Sequence, residues 1–239
     1  FFNTVLYTGN GSTQSITGVG FQPDWVWIKN RTEDYEHTIF DSVRGVQKFI
    51  RSSTTGAEAT NSNSLTAFGT DGFSIGTESA VNDNSDSFVS WNWLASGSTA
   101  SNSNGSITST VSANTTAGFS IVSYTGTGSA ATVGHGLGAA PEIVIVKRRN
   151  NADGWQVYVD GLSSVNHYLR LDTTAAEASD SSRFGAAPTA SVFSVGTANG
   201  TNASGDTYIA YCFASIKGYS KIGKYTGNGN AEGPFVYTG

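Results

Sequence analysis

Short apolar runs separated by turn residues set the pattern of this chain. The runs are rich in Val, Ile, Phe, Tyr and Trp, and Gly, Asn, Asp or Pro bounds each of them. Asn10-Gly11, Asp71-Gly72, Asn199-Gly200 and Asn228-Gly229 tolerate the positive φ angles of tight hairpin turns. Helical periodicity is nearly absent. The pattern therefore predicts an all-β protein built from antiparallel β-sandwiches of the jelly-roll or lectin-like kind.

One sequence pattern occurs twice along the chain and begins a third time. The matching segments are 7–11, 124–128 and 225–229; 25–31 and 143–149; and 88–93 and 208–213. Recurrence of several segments in the same order is typical of repeated structural units. We therefore predict two tandem β-sandwich modules.

These matches divide the chain into four parts. Residues 1–96 form the first module and residues 115–219 the second. The Ser/Thr/Asn-rich tract 97–114 between them is predicted to be a flexible or extended linker. Residues 220–239 are interpreted as the truncated start of a third copy. Because the chain contains no methionine and opens on Phe1, we expect a piece of a longer or processed polypeptide.

Composition narrows the classes of partner. Charged residues make up 13% of the chain and the formal net charge is −5, without a Lys/Arg cluster. Nucleic acids and anionic membranes are held mainly by basic patches, so we expect neither as a partner. Cys212 is the only cysteine, which excludes an intramolecular disulfide and a thiolate metal cage.

Each copy has a pair of cations at its central predicted strand. The pair is Lys29 and Arg31 in the first copy and Lys147 and Arg149 in the second. Ion pairing with Asp41 and its counterpart Asp160 at the sandwich edge is the preferred interpretation. The alternative is a polar ligand site shared by both copies. Trp25 and Trp27 precede the first pair, and their counterparts Ile143 and Ile145 favour core filling over sugar stacking.

Three aromatic residues lie beside polar stretches that are predicted to be hairpin loops. They are Tyr35, Trp155 and Tyr158. An aromatic ring at a loop tip can stack on a sugar ring, whereas the alternative is that the ring folds back over the sandwich edge. We name these three residues, together with the four cations, as candidate ligand contacts.

A cluster of oxygen donors precedes the last strand of the first copy. Its members are Asn82, Asp83, Asn84 and Asp86. Calcium accepts such ligands, so these residues are candidates for a calcium site and calcium is the one candidate cofactor. The alternative is an Asx turn before a strand.

No catalytic pattern stands out in the chain. His37, His135 and His167 have no histidine counterparts in the other copy. Acids that would serve in glycoside hydrolysis are present, but sequence spacing cannot place any two at the required separation. We therefore expect a protein that is not an enzyme.

Four segments of the first copy form a recognisable combination: Tyr7–Gly11, Gly20–Arg31, Phe40–Gly45 and Asp71–Phe73. Together they resemble a repeat found in virion proteins of tailed bacteriophages, especially marine phages. The resemblance implies a lectin-like β-sandwich on the exterior of the particle, within a tail or fibre-like protein. The second copy lacks both strand tryptophans and has Asp160–Ser164 in place of the Asp41–Gly45 segment.

The resemblance and the repeat lead to one preferred function and two alternatives. We expect a structural and adhesive protein of the virion exterior that contacts other virion proteins or a host-surface glycan and forms a homo-oligomer. The first alternative is a virion polysaccharide depolymerase. The second is a secreted cellular adhesin, which the Asn-x-Ser/Thr sequons of the chain would permit.

Overall fold

Antiparallel strands make up nearly all of the regular structure. The computed structural model describes residues 1–237. Its strands are β1 (Phe2–Thr8), β2 (Gln14–Thr17), β3 (Trp25–Asn30), β4 (Thr38–Asp41), β5 (Lys48–Arg51), β6 (Ala59–Thr60), β7 (Leu65–Gly69), β8 (Gly72–Ile75), β9 (Ser87–Trp93), β10 (Ala100–Asn102), β11 (Ser109–Asn114), β12 (Phe119–Thr125), β13 (Ala131–Gly134), β14 (Ile143–Arg148), β15 (Gln156–Val159), β16 (His167–Arg170), β17 (Ala178–Ser179), β18 (Val192–Val195) and β19 (Thr207–Phe213). The helices are α1 (Ser79–Asn82) and α2 (Asn199–Asn202). The all-β prediction is confirmed.

The first half (β1 to β9) and the second half (β10 to β19) each contain a large and a small sheet. The large sheet of the first half has the order β1-β9-β3-β4-β5-β6, and the second contains the matching order β12-β19-β14-β15-β16-β17. The small sheets are β2-β8-β7 and β13-β18. The strand order follows the sequence repeat, while independent folding of two tandem modules stays a prediction. The predicted third copy extends to Thr238 and Gly239, which lie outside the described residues.

Side-chain alternation along the strands produces three apolar clusters. Val26 and Ile28 point to one side of β3 and pack with Phe73 of the small sheet, inside the first half. An equivalent cluster around Val144 and Phe193 fills the second half. The third cluster contains residues of both halves, so the two large sheets pack face to face. Among residues 1–237, no helix has the length and apolar character needed to cross a membrane.

The tract predicted to be a linker is ordered. β10 pairs with β11, and β11 pairs with β12 so that Val111 lies opposite Val122. Ile107, Ser109 and Val111 are buried, which is the alternation of a strand with one face on a core. The tract 97–114 was predicted to be a flexible or an extended linker. Its strands β10 and β11 are extended, and the flexible alternative is wrong because neighbouring strands supply partners for their backbone groups.

The single thiol lies inside the second half. Cys212 is fully buried in the cluster of Val144 and Phe193. Burial raises the pKa of its thiol to about 12, although the Ser120 hydroxyl acts in the opposite direction. Such a thiol is unreactive as long as the core is closed.

Candidate functional site

Aromatic rings join the two large sheets. Trp25 is 2% exposed, and its ring centroid lies 4.5 Å from that of Trp93 and 4.6 Å from that of Tyr211. Phe119 follows at 5.6 Å. The core interpretation of Trp25 is confirmed, but the ring packs against the other half of the chain. Strand alternation is the reason, because Trp25 points away from its own small sheet.

An apolar cavity of about 350 Å³ lies between the sheets beside this cluster. Its lining includes Phe2, Trp93, Phe119, Ile143, Phe213 and Tyr219. Ile143 and Ile145 both border the cavity and occupy the positions that correspond to Trp25 and Trp27. The counterpart positions therefore share one sheet face, with large rings in the first half and smaller side chains in the second.

A buried ion network also connects the halves. Arg44 donates from Nε to Asp41 Oδ2 at 2.5 Å, and the Tyr211 hydroxyl donates to the same oxygen at 2.7 Å. Glu58 accepts hydrogen bonds from Arg44 Nη1 at 3.3 Å and from Arg149 Nε at 2.9 Å and Nη2 at 3.0 Å. Burial opposes ionisation of both Arg44 and Glu58, but the opposite charges raise the pKa of Arg44 and lower the pKa of Glu58. Arg44 belongs to the Asp41–Gly45 segment that the second copy lacks.

The predicted pairing of the repeated cations with Asp41 and Asp160 is wrong. Asp41 pairs with Arg44, and Asp160 is exposed. Arg31 is exposed and makes no ion pair within residues 1–237, whereas Arg149 pairs with Glu58. Sequence spacing misses this pairing because the partners lie in different halves.

The repeated lysines, Lys29 and Lys147, donate hydrogen bonds to carbonyl oxygens of neighbouring loops. Lys29 Nζ donates to the carbonyl oxygens of Glu33 and Tyr35 at 3.2 and 2.8 Å. Lys147 Nζ donates likewise to Asp153 O at 2.7 Å and to Thr55 O of the first half at 3.1 Å. Lys147 is fully buried, and burial lowers its pKa to about 8.

Two of the three aromatic residues predicted to be exposed at loops are buried. Trp155 is 0% exposed because the first half covers its loop, and its indole N–H donates to Arg51 O at 2.9 Å. Tyr158 is 5% exposed and packs edge-on against Phe184 in the second core. The prediction of exposure is wrong for both, since the covering groups come from sequence-distant segments.

Tyr35 remains at the surface, in an acidic depression of about 370 Å³. Its lining is Glu33, Asp34, Tyr35, Asp83 and Asp86. The Tyr35 hydroxyl lies 3.4 Å from Asp83 Oδ2, and partial desolvation and this carboxylate raise the pKa of Tyr35. The structure thus brings a predicted ligand residue together with two predicted calcium ligands. Sequence reasoning did not assign Glu33 and Asp34 to this site, because the loop that carries them approaches Asp83 only in the folded sheet.

The other two candidate calcium ligands do not line the depression. Asn82 is buried, and its side-chain amide donates to the carbonyl oxygens of Ser12 and Gly76. Asn84 is exposed. Among residues 1–237, no group of three or more His, Cys, Asp or Glu side chains is placed to hold a metal ion. Calcium at these positions stays a prediction.

The corresponding surface of the second half is neutralised. Arg148 occupies the position of Asn30 and pairs with Asp206, the counterpart of Asp86. Ala203 and Ser204 replace Asp83 and Asn84. The acidic depression is therefore a property of the first half alone.

The fold and this interface define an all-β protein of antiparallel sheets packed across two halves. The whole chain, residues 1–239, matches the model of the family described as Domain of unknown function (DUF7483), and the chain belongs to this family. No curated protein and no solved structure matches the chain.

Proposed function

We propose that this chain is a structural and adhesive component of the exterior of a tailed-phage virion. The phage-like segments of the first copy support this location. In this role the chain makes assembly contacts with other virion proteins, including further copies of itself, or attaches to a host-surface glycan. It acts without catalysis.

The observation that carries the proposal is the way the halves are joined. Trp25, Tyr211 and the Asp41–Arg44–Glu58–Arg149 network occupy the contact between the large sheets. These charged and aromatic side chains join the two sheets. Two sheets joined through buried side chains suit a component that maintains shape or spacing.

Of the predicted ligand residues, Tyr35 supports the adhesive part of the proposal best. It lies at the rim of an open depression, where a ring can stack on a sugar while carboxylates accept hydrogen bonds from hydroxyl groups.

The location is tested by finding the chain in a reconstruction of the purified particle and counting its copies. We expect exterior density at symmetry-repeated positions. Absence from purified particles, together with no binding to host glycans or virion proteins, would contradict the proposal. Incubation with host polysaccharide tests the depolymerase alternative, since release of reducing ends would replace our proposal with an enzymatic one.

A further inference from the structure

The outer edge of β1 is open, whereas the same edge of its counterpart β12 is covered. β1 ends the first large sheet, and within residues 1–237 no strand pairs with its outer side. β12 lies between β19 and β11. The outer edge of the large sheet is therefore unpaired within the described residues of the first half and paired with a strand in the second.

Ladder hydrogen bonds identify the backbone groups at this edge. Leu94 N–H donates to Phe1 O, and Gly9 N–H donates to Asp86 O. Bonded and non-bonded pairs alternate in an antiparallel ladder, so the even-numbered residues of β1 direct their N–H and C=O groups outward. Asn3 Oδ1 accepts from Thr4 N–H, and Gln14 Nε2 donates to Thr8 O. The N–H and C=O groups of Leu6, at the centre of the edge, have no hydrogen-bond partner among residues 1–237.

Side chains of β1 are more exposed than their counterparts in β12, which pairs with an additional strand. Phe2 is 43% exposed, while its counterpart Phe119 is 1% exposed. Leu6 is 63% exposed, and Val5 is half-buried where its counterpart Val122 is fully buried. β1 contains no charged residue and no proline, the two common devices that protect an edge strand from pairing.

Two corresponding glycines, Gly136 and Gly18, allow the space beside β12 and the space beside β1 to be compared. A Cβ atom on Gly136 would lie 3.1 Å from side-chain atoms of both Val111 and Ala113, because β11 passes close to this glycine. Gly18 occupies the matching position beside β1 with φ +88°, and a Cβ atom there would meet no atom of the described residues within 4 Å. The space beside Gly18 is thus open among the described residues, whereas β11 lies beside Gly136.

We propose that the outer edge of β1 binds an extended, uncharged polypeptide strand of the same kind as β11. The strand runs antiparallel to β1, carries Ser and Thr on one face, and places a valine opposite Val5 as Val111 lies opposite Val122. Main-chain hydrogen bonds to Leu6 supply affinity, and burial of Leu6 and Val5 adds to it. The inference deepens the proposed function, on which it rests, by naming the kind of partner used in assembly contacts.

The probe is a fluorescent synthetic peptide with the sequence of residues 107–116, which contains β11. We expect saturable binding to the purified chain, measured by fluorescence anisotropy, and slowed amide exchange at Leu6. A peptide with Thr110→Pro is the control, because Thr110 forms a bonded pair with Ser123, the counterpart of Leu6 on β12, and proline removes its N–H. We expect this peptide to bind at least about tenfold more weakly.

The protein variant is Leu6→Pro, which removes the outward N–H but no ladder bond to β9. We expect an unchanged circular dichroism spectrum and about a tenfold loss of peptide affinity. If this variant fails to fold, Leu6→Lys keeps the N–H and adds a charge at the edge, and Val165→Lys is the control at an exposed aliphatic residue away from β1. Leu6→Lys should weaken binding, whereas Val165→Lys should not.

Three results would overturn the inference. They are no binding at about 1 mM peptide, equal binding by Leu6→Pro and the natural chain, and β1-dependent self-association without peptide binding. The second result would place the peptide on β12 by strand exchange. Because the assay uses the purified chain alone, its failure would leave the virion location to its own test.

Discussion

The two halves share a strand order but contribute different chemistry to the contact between them. The first half supplies Trp25 and the Asp41–Arg44 pair, and the second supplies Tyr211 and Arg149. The second half adds β11 at an edge that the first leaves open. The repeated pattern thus specifies the sheets, while the residues that differ between the copies specify how the sheets meet each other and their surroundings.

The sharpest test of this comparison replaces counterpart residues. We expect Trp25→Ala to lower the free energy of unfolding by about 3–5 kcal/mol, since it empties the centre of the shared cluster. Ile143→Ala, at the half-buried counterpart position, should cost about 1–2 kcal/mol. Urea unfolding measures both. Equal costs would show that the matched positions are energetically equivalent, which contradicts an asymmetric contact.

Removal of Arg44 probes the ion network. Arg44→Met should cost about 3 kcal/mol because it leaves the buried Asp41 carboxylate without its cation. Arg31→Met, at an exposed arginine without an ion pair in the described residues, is the control and should change stability by less than about 0.5 kcal/mol. A cost for Arg44→Met as small as that of the control would mean that the network does not stabilise the contact.

The smallest effect concerns pH. Lys147 has a folded pKa lowered to about 8 from an ordinary value near 10.5, so its burial penalty is fully present below pH 8 and is relieved as pH rises towards 10.5. Stability of the natural chain relative to Lys147→Met should therefore increase over this range. Chemical denaturation of both proteins at several pH values measures the difference. A constant difference would indicate that Lys147 titrates normally.

Sequence patterns predicted the elements better than the contacts. Alternating apolar residues and turn dipeptides indicated the strands, and the repeat indicated their matching order. The same alternation was present at Ile107, Ser109 and Val111, but the polar composition of that tract pointed to a linker. A period of two is the stronger signal when a neighbouring strand supplies the hydrogen-bond partners.

The candidate site was less predictable because its contacts join distant segments. Trp155 is buried by residues near Arg51, and Glu58 pairs with Arg149. A local sequence pattern does not indicate which face of a strand will be covered by another sheet. Tyr35 and Asp83 were both candidates, but as parts of separate sites, because only the folded loop brings them together.

The buried thiol of Cys212 can be used to measure how often the second half of the protein opens. A thiol reagent added to the native protein has access to sulfur only while the second half is open, so the labelling rate measures the frequency of opening. Comparing this rate with and without a change at Trp25 would show whether disturbance of one half loosens the other.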